Sequence, residues 1–464
     1  MTIELLMLGG AGEIGANSCY ININGHGIII DAGLHPRRRD RAALPELERL
    51  GGRPVHSFIL THAHTDHVGA LPYVVKTLPA LRMITTRPTR DLVEIMLRNT
   101  MKLFQLEPTV ELPAGALDYY TPAMLETFSL LFHTAAYEEP IVLSKEHQPV
   151  GLSSMTDSND IRLTLYDAGH IIGSAALLLE TNGSAVIHTG DIKFSPQALL
   201  NGSSLPKHHV DCLIIECTNG ADESPHSYEE EKLRLARFIN HITNQHGSVL
   251  LPTFALGKTQ EVLKIIFELM QAQRIPVLPI FTGGMSKRIT KIYDRYAHTV
   301  PRREPGFLLK SIPLTYINYE TMMSERFFRE PSIVIVSSGM LNEGSPSYQL
   351  AQRWVTLRNF GIGIMGYQDP STPGYALLHS ERGVEFSMGG VNVTRECELE
   401  RFRFSAHAQR DELLEYIFAT RPKHLVLVHG DTAAIESVRA TVQAHCDDIS
   451  ILVPEHGVGY QMEV

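Results

Sequence analysis

The stretch Thr61-His62-Ala63-His64-Thr65-Asp66-His67 packs three imidazoles and a carboxylate into six positions. No helix or strand can aim all four at one point, because a helix rotates successive side chains around its axis and a strand alternates them between faces. A loop can, and the flanking residues place one here. Val55–Leu60 is a short apolar run that reads as a buried strand, and Val68, Leu71, Val74, Val75 and Leu78 then recur at helical spacing. Neutral imidazole and carboxylate suit zinc or manganese, and no thiolate takes part.

Three further segments repeat the design. His170 (in Asp167-Ala168-Gly169-His170), Asp191 (in His188-Thr189-Gly190-Asp191) and His429 (in Val428-His429-Gly430-Asp431) each follow an apolar strand at a glycine turn. Any one alone reads more readily as a core or turn residue. Their recurrence points to ligands presented along one edge of a sheet.

Two phosphate-loop lookalikes fail on mechanism. Gly10-Ala11-Gly12-Glu13-Ile14-Gly15 has the dinucleotide spacing, but Cys19, Ile21 and Ile23 then alternate as a strand where a helix is required. Pro252–Thr259 ends like a P-loop, yet proline stands where its first glycine belongs. The Gly257-Lys258 step keeps amides and a cation that suit a phosphate at a helix start.

With 464 residues, 44% of them apolar, the chain can build two or three domains or one domain with a large insertion. No stretch has the length of a membrane span and the N-terminus lacks a signal-peptide pattern. The five cysteines are scattered, which fits reduced thiols in a cytoplasmic protein. A formal charge of −10 argues against a broad basic surface but leaves the substrate open, since bound metal ions supply local positive field. Strands are expected at 3–8, 18–23, 27–31, 161 onward and 212–216, a helix at 86–105, and mixed helix and loop from about 106 to 160. Beyond residue 217, helices at 227–245, 258–272 and 285–297 alternate with strands Ser248–Pro252, Val277–Phe281, Ile333–Ser337 and Ile362–Met365, the pattern of an open parallel sheet. A helix over Asp411–Ala419 and the strand His424–Val428 close the chain.

Together these motifs resemble the metallo-β-lactamase fold and are similar to its β-CASP branch of nucleases. The resemblance implies an α/β fold: a metallo-β-lactamase αββα sandwich (1–216 and 401–464) with an inserted, mostly parallel β-CASP domain (217–400). Asp31 matches the first motif, His62, His64, Asp66 and His67 the second, His170 the third and Asp191 the fourth. Glu216 matches the β-CASP carboxylate motif, and His407 and His429 its two histidine motifs. The family then implies two zinc ions, with manganese as the alternative, one held by His62, His64 and His170 and the other by Asp66, His67 and His429. Asp191 would bridge them, and Asp31 would orient the ligands. Asp66, Asp191, His407 and Glu216 are the expected catalytic groups, with His407 protonating the leaving oxygen or binding phosphate and Glu216 holding it charged. Substrate contacts are expected from Lys258, Ser338, Gly339 and Ser405.

A histidine at position 429 accompanies RNA nucleases in this family, so the implied substrate is single-stranded RNA, cut internally, trimmed 5′ to 3′, or both. A homodimer is implied by likeness alone. The competing readings are a DNA nuclease or other metal-dependent hydrolase on the same fold, and a catalytically silent scaffold subunit. The chain departs from the family at Cys217-Thr218-Asn219-Gly220, where a tyrosine is usual, at Thr282-Gly283-Gly284-Met285, and at Asn342-Glu343-Gly344. The basic stripe Lys287, Arg288, Lys291 and Arg295 reads first as a solvated helix face and second as a phosphate-backbone contact.

Overall fold

Leu177, Leu178 and Leu179 are buried in succession, so the strand that carries them must be covered on both faces. In the computed structural model, which describes residues 2–38, 40–106, 120–144, 160–224, 227–318, 320 and 330–464, it is. Leu177 and Leu179 join Leu163, Val186, Ile214 and Val426 in packing against Ile3, Leu5, Ile21 and Ile28 of a second sheet. Leu178 faces the other way, with Ile187, Leu213 and Leu427, onto Leu413, Ile417, Ile435 and Val438. Those last four lie on the helices Arg410–Thr420 and Thr432–His445. Each fully buried leucine or isoleucine contributes roughly 1.5–3 kcal/mol.

This unit comprises Met1–Ser195, Gly202–Pro225 and His407–Val464. Its first sheet runs through Gly459–Glu463, Thr2–Gly9, Ser18–Ile23, His26–Ile30, Ser57–Ile59, Arg82–Thr85 and Phe132–Thr134. The second runs through Ser450–Leu452, His424–Val428, Cys212–Glu216, Ser184–His188, Ala175–Thr181, Ile161–Asp167 and Ile141–Leu143. The expected helix after residue 67 is two pieces, Thr65–Val68 and Leu71–Thr77, parted at Gly69-Ala70, with Pro72 starting the second. Of the stretch read as mixed helix and loop, 120–144 contains the helix Pro122–Phe128 and the strands Phe132–Thr134 and Ile141–Leu143. Residues 107–119 and 145–159 lie outside the described residues.

The other unit comprises Pro196–Asn201 and His226–Ala406. Its six-stranded sheet, Leu314–Ile317, Ile280–Gly283, Ile333–Val336, Val249–Pro252, Gly361–Met365 and Glu398–Phe402, is parallel throughout. The strand expected from Val277 starts at Ile280, because Pro276 and Pro279 remove ladder donors ahead of it. Leu314–Ile317 and Glu398–Phe402 are edge strands, and the charged Glu398-Leu399-Glu400-Arg401-Phe402 carries no apolar alternation to announce it. Among the described residues no helix is long and apolar enough to cross a membrane.

Glu261, 3% exposed on the helix Lys258–Gln271, ties Pro196–Asn201 to this unit. Its Oε2 accepts the backbone amides of Ala198 (2.7 Å) and Leu199 (3.0 Å). Burial pushes its carboxyl up to about 7, against the opposing pull of those amides and of Lys258. A raised carboxyl favours folding while it keeps its proton, so stability from this group is complete below its unfolded pKa near 4.5 and falls as pH rises toward 7. Glu261→Gln keeps the shape and one acceptor oxygen. Denaturant unfolding at pH 5 and pH 7.5 is expected to show a smaller loss of stability for Glu261→Gln than for wild type, by up to about 3 kcal/mol.

Candidate metal centre

Backbone geometry, more than helix or strand content, brings the expected ligands together. The strand His26–Ile30 ends, and Asp31 turns left-handed with φ 63°. Its Oδ1 accepts the Thr61 amide and its Oδ2 the Thr61 hydroxyl, both at 2.7 Å. The same Oδ2 takes His67 Nδ1 at 2.7 Å, so Nε2 is the ring nitrogen turned to the centre. Gly33 allows the loops to touch: a Cβ there would stand 1.7 Å from the Asp66 carbonyl oxygen and 2.4 Å from the Asn17 amide nitrogen. His429 follows its strand directly with φ 48°, and Asp431 caps the next helix by accepting the Ala434 amide at 2.8 Å. His429 is thereby pinned in a two-residue gap.

The donor atoms fall into two adjoining groups, His62, His64, His170 and Asp191 in one and Asp66, His67 and His429 in the other. In the first, His64 Nδ1 lies 3.2 Å from His62 Nε2 and 3.0 Å from His170 Nε2. Asp191 Oδ2 stands 3.5 Å from His62 Nε2 and 3.6 Å from His170 Nε2. Asp191 Oδ1 faces the second group, 3.3 Å from His67 Nε2 and 3.2 Å from His429 Nδ1. Asp66 Oδ2 lies 3.6 Å from His429 Nε2. Four donors around a zinc ion at about 2.0–2.2 Å are separated by roughly 3.3–3.5 Å along the tetrahedral edges. The observed spacings, from 3.0 to 3.6 Å, bracket those edges, with His429 turning Nδ1 toward Asp191 and Nε2 toward Asp66. Asp191 Oδ1 and His429 Nε2 are buried with no hydrogen-bond partner among the described residues. The residues therefore fit divalent metal ions.

Electrostatics divide the rings. Against burial, the Asp191 carboxylate raises the His67 imidazole well above its ordinary pKa and pushes that of His429 up to about 10. Burial drives the His62 imidazole well below its ordinary pKa, helped by the neighbouring His67, so it is a neutral ligand. Burial opposes charge on Asp191 too, yet the surrounding His429, His67 and His62 rings hold its carboxyl well below the usual range.

Beside the ligands, Glu216 Oε1 and Oε2 lie 2.9 and 3.0 Å from His407 Nδ1, and Oε1 also accepts the Ile192 amide at 2.7 Å. Burial opposes charge on both, but their attraction dominates: Glu216 falls to about 2 and His407 is raised. Asp191, His407 and His429 themselves form a third close group. All these residues belong to the first unit, whereas Lys258, Ser338, Gly339 and Ser405 belong to the second. There Lys258 opens its helix behind Gly257 (φ 85°), and Ser338 Oγ accepts the Asn342 amide at 2.7 Å.

Three residues of the centre escaped the sequence reading. Thr61 braces Asp31, as described. The Thr218 hydroxyl joins Glu216 Oε2 to His429 Nδ1, the latter at 3.1 Å. Asn17 brings Nδ2 to 3.0 Å from His67 Nε2. Thr61 and Thr218 adjoin ligand motifs, which was signal enough; Asn17 had none.

Two sheets packed face to face, with histidine and aspartate ligands gathered on the loops at their strand ends, define a metal-binding domain of the β-lactamase type. The chain belongs to the metallo-β-lactamase superfamily, in the branch that carries a β-CASP domain. Residues 11–240 match the model of the metallo-beta-lactamase superfamily, 259–377 that of the Beta-Casp domain, and 392–454 that of the Zn-dependent metallo-hydrolase RNA specificity domain. Among similar proteins, cleavage and polyadenylation specificity factor subunit 3 of Dictyostelium discoideum is 26% identical over 99% of this chain and 57% of its own. Endoribonuclease YSH1 of Candida glabrata is 28% identical over 91% and 54%, and that of Saccharomyces cerevisiae 26% over 100% and 60%. The chain thus spans little more than half the length of these relatives. A solved structure of a protein of unknown function from Enterococcus faecalis V583 shares the fold, with a TM-score of 0.56 at 14% identity over the whole of both chains.

Because a Cβ at position 33 has no room, Gly33→Ala must push Asp66 and Asn17 apart. Elemental analysis of the folded variant is expected to show less bound metal than wild type, and an unchanged metal content would contradict the packing described.

Proposed function

We propose that the protein is a two-zinc ribonuclease that hydrolyses single-stranded RNA endonucleolytically, with 5′-to-3′ trimming as a second mode of the same centre. The observation that carries this reading is the split of Asp191, whose two oxygens face two separate ligand groups. RNA is favoured because the similar proteins named above are an endoribonuclease and a polyadenylation cleavage factor, and because an RNA specificity domain model matches residues 392–454. Zinc is favoured by the all-nitrogen-and-oxygen donor set at tetrahedral spacing.

His62, His64 and His170 would hold one ion with Asp191 Oδ2, and Asp66, His67 and His429 the other with Asp191 Oδ1. When bound, two such ions supply an activated water at neutral pH and a clamp for the phosphodiester oxygens. Asp31 keeps the proton of His67 on Nδ1 and so leaves Nε2 its lone pair. Glu216 engages Nδ1 of His407 and favours the imidazolium, whose Nε2–H is then the donor for the leaving oxygen. Thr218 fixes the Glu216 carboxylate and orients the His429 ring. A silent scaffold has no need of seven convergent ligands, which counts against that alternative.

Labelled RNA and DNA of one sequence, offered to the zinc-loaded protein, test the substrate. RNA is expected to be cut, and cleavage confined to DNA would refute the assignment. His407→Ala is expected to slow RNA cleavage by about 10²-fold or more while two ions stay bound. Asp191→Ala is expected to lower the metal content as well. Full activity in His407→Ala would remove the proton-donor role.

A further inference from the structure

Asn17 closes the glycine-rich turn between the strands Thr2–Gly9 and Ser18–Ile23, and it is only 9% exposed. Its backbone is fastened on both sides: the amide donates to the Asp66 carbonyl and the carbonyl accepts the Gly33 amide, each at 2.9 Å. Its carboxamide is fixed as well. Oδ1 lies over Gly10, where a Cβ would meet it at 2.5 Å, and Nδ2 faces the ligands. There Nδ2 stands 3.0 Å from His67 Nε2 and 3.5 Å from Asp66 Oδ2. Two ring nitrogens, His429 Nε2 and His67 Nε2, stand farther from that carboxylate oxygen, at 3.6 and 3.8 Å. With the His67 Nε2 lone pair given to a metal ion, Asp66 Oδ2 is the acceptor left within reach of the Asn17 amide. The opposite amide orientation would set two oxygens against each other.

We infer that Asn17 is a positioning residue for the second ligand group: its amide N–H steers the Asp66 carboxylate, and its backbone holds the turn against the ligand loop. The inference rests on the two-metal reading above and assigns Asn17 no contact with substrate. Hydrogen-bonded partners of metal ligands typically change metal affinity by roughly 10–100-fold when removed. The side chain of Asn17 reaches Asp66 and His67, and no contact with the His62, His64 and His170 group is seen among the described residues, so the effect should fall on one ion of the pair.

The test is a chelator competition titration of zinc-loaded wild type, Asn17→Ala and Asn17→Leu, with folding followed by circular dichroism. Leucine fills a similar volume and lacks the donor. One ion, the same one released by Asp66→Ala, is expected to weaken by roughly 10–100-fold in both variants while the other keeps wild-type affinity. Wild-type retention of both ions in Asn17→Leu, or equal weakening of both, would overturn the inference. Should the variants fail to fold, unsubstituted protein labelled with ¹⁵N-asparagine decides the matter by nuclear magnetic resonance. The Asn17 side-chain amide signal is expected to shift over one of the two zinc equivalents, and a signal that stays still throughout would overturn the inference. A wild-type protein that binds two ions but leaves RNA intact would sink the nuclease reading without touching this one.

Discussion

A carboxylate at 3% exposure in the middle of a protein is the constraint around which the first unit is built. Taking such an ion out of water costs several kcal/mol unless charge and hydrogen bonds replace its hydration. Asp191 meets that cost by drawing His62 and His170 to one oxygen and His67 and His429 to the other. These residues come from four separate strand ends, so the fold must deliver all four to one place. Two back-to-back sheets do this because their strands stop along a common edge, and the loops beyond are free to take the left-handed turns seen at Asp31 and His429.

The neighbouring carboxylates repeat the solution with backbone amides. Asp31 takes the Thr61 amide and Glu216 the Ile192 amide, each from a residue adjacent to a ligand. Each carboxylate then spends its remaining capacity on an imidazole, His67 for Asp31 and His407 for Glu216. A loop and a ring are thus fixed by one buried charge. At Glu216, against burial, the attraction of His407 keeps the carboxylate charged and an acceptor while the ring is raised toward its protonated form.

Much of this was legible in the sequence because ligand chemistry and strand ends leave local marks. The cluster from His62 to His67 cannot be explained as an element, and the glycines beside the other ligands, Gly169 before His170, Gly190 before Asp191 and Gly430 after His429, announce turns. What stayed hidden depends on long-range geometry. Asn17 lies 49 residues from Asp66 and carries no ligand-type side chain, so only the packing of Gly33 against both reveals it. The segment Pro196–Asn201 joins the second unit through Glu261, more than sixty positions along the chain, and a carboxylate inside an amphipathic helix gives no warning of that. The charged edge strand Glu398–Phe402 is set by pairing with Gly361–Met365, a partner that its own composition does not call for.

The departure at Cys217-Thr218-Asn219-Gly220 shows how a motif can change letters and keep its physical task. A tyrosine usual in this motif is absent, yet the polar work around Glu216 is done. The Thr218 hydroxyl spans Glu216 and His429, and Asn219 Nδ2 donates to the Ala408 carbonyl at 2.9 Å, next to His407. The Cys217 amide donates to the His429 carbonyl at 3.1 Å, and Gly430 packs against Cys217 so closely that a Cβ would stand 2.9 Å from its side chain. Three consecutive residues, Cys217, Thr218 and Asn219, therefore hold the two site histidines that follow the inserted unit in sequence, His407 and His429. A substitution pattern that conserves those anchors and gives up only a ring alters what can lie beside the centre, and leaves the centre itself intact.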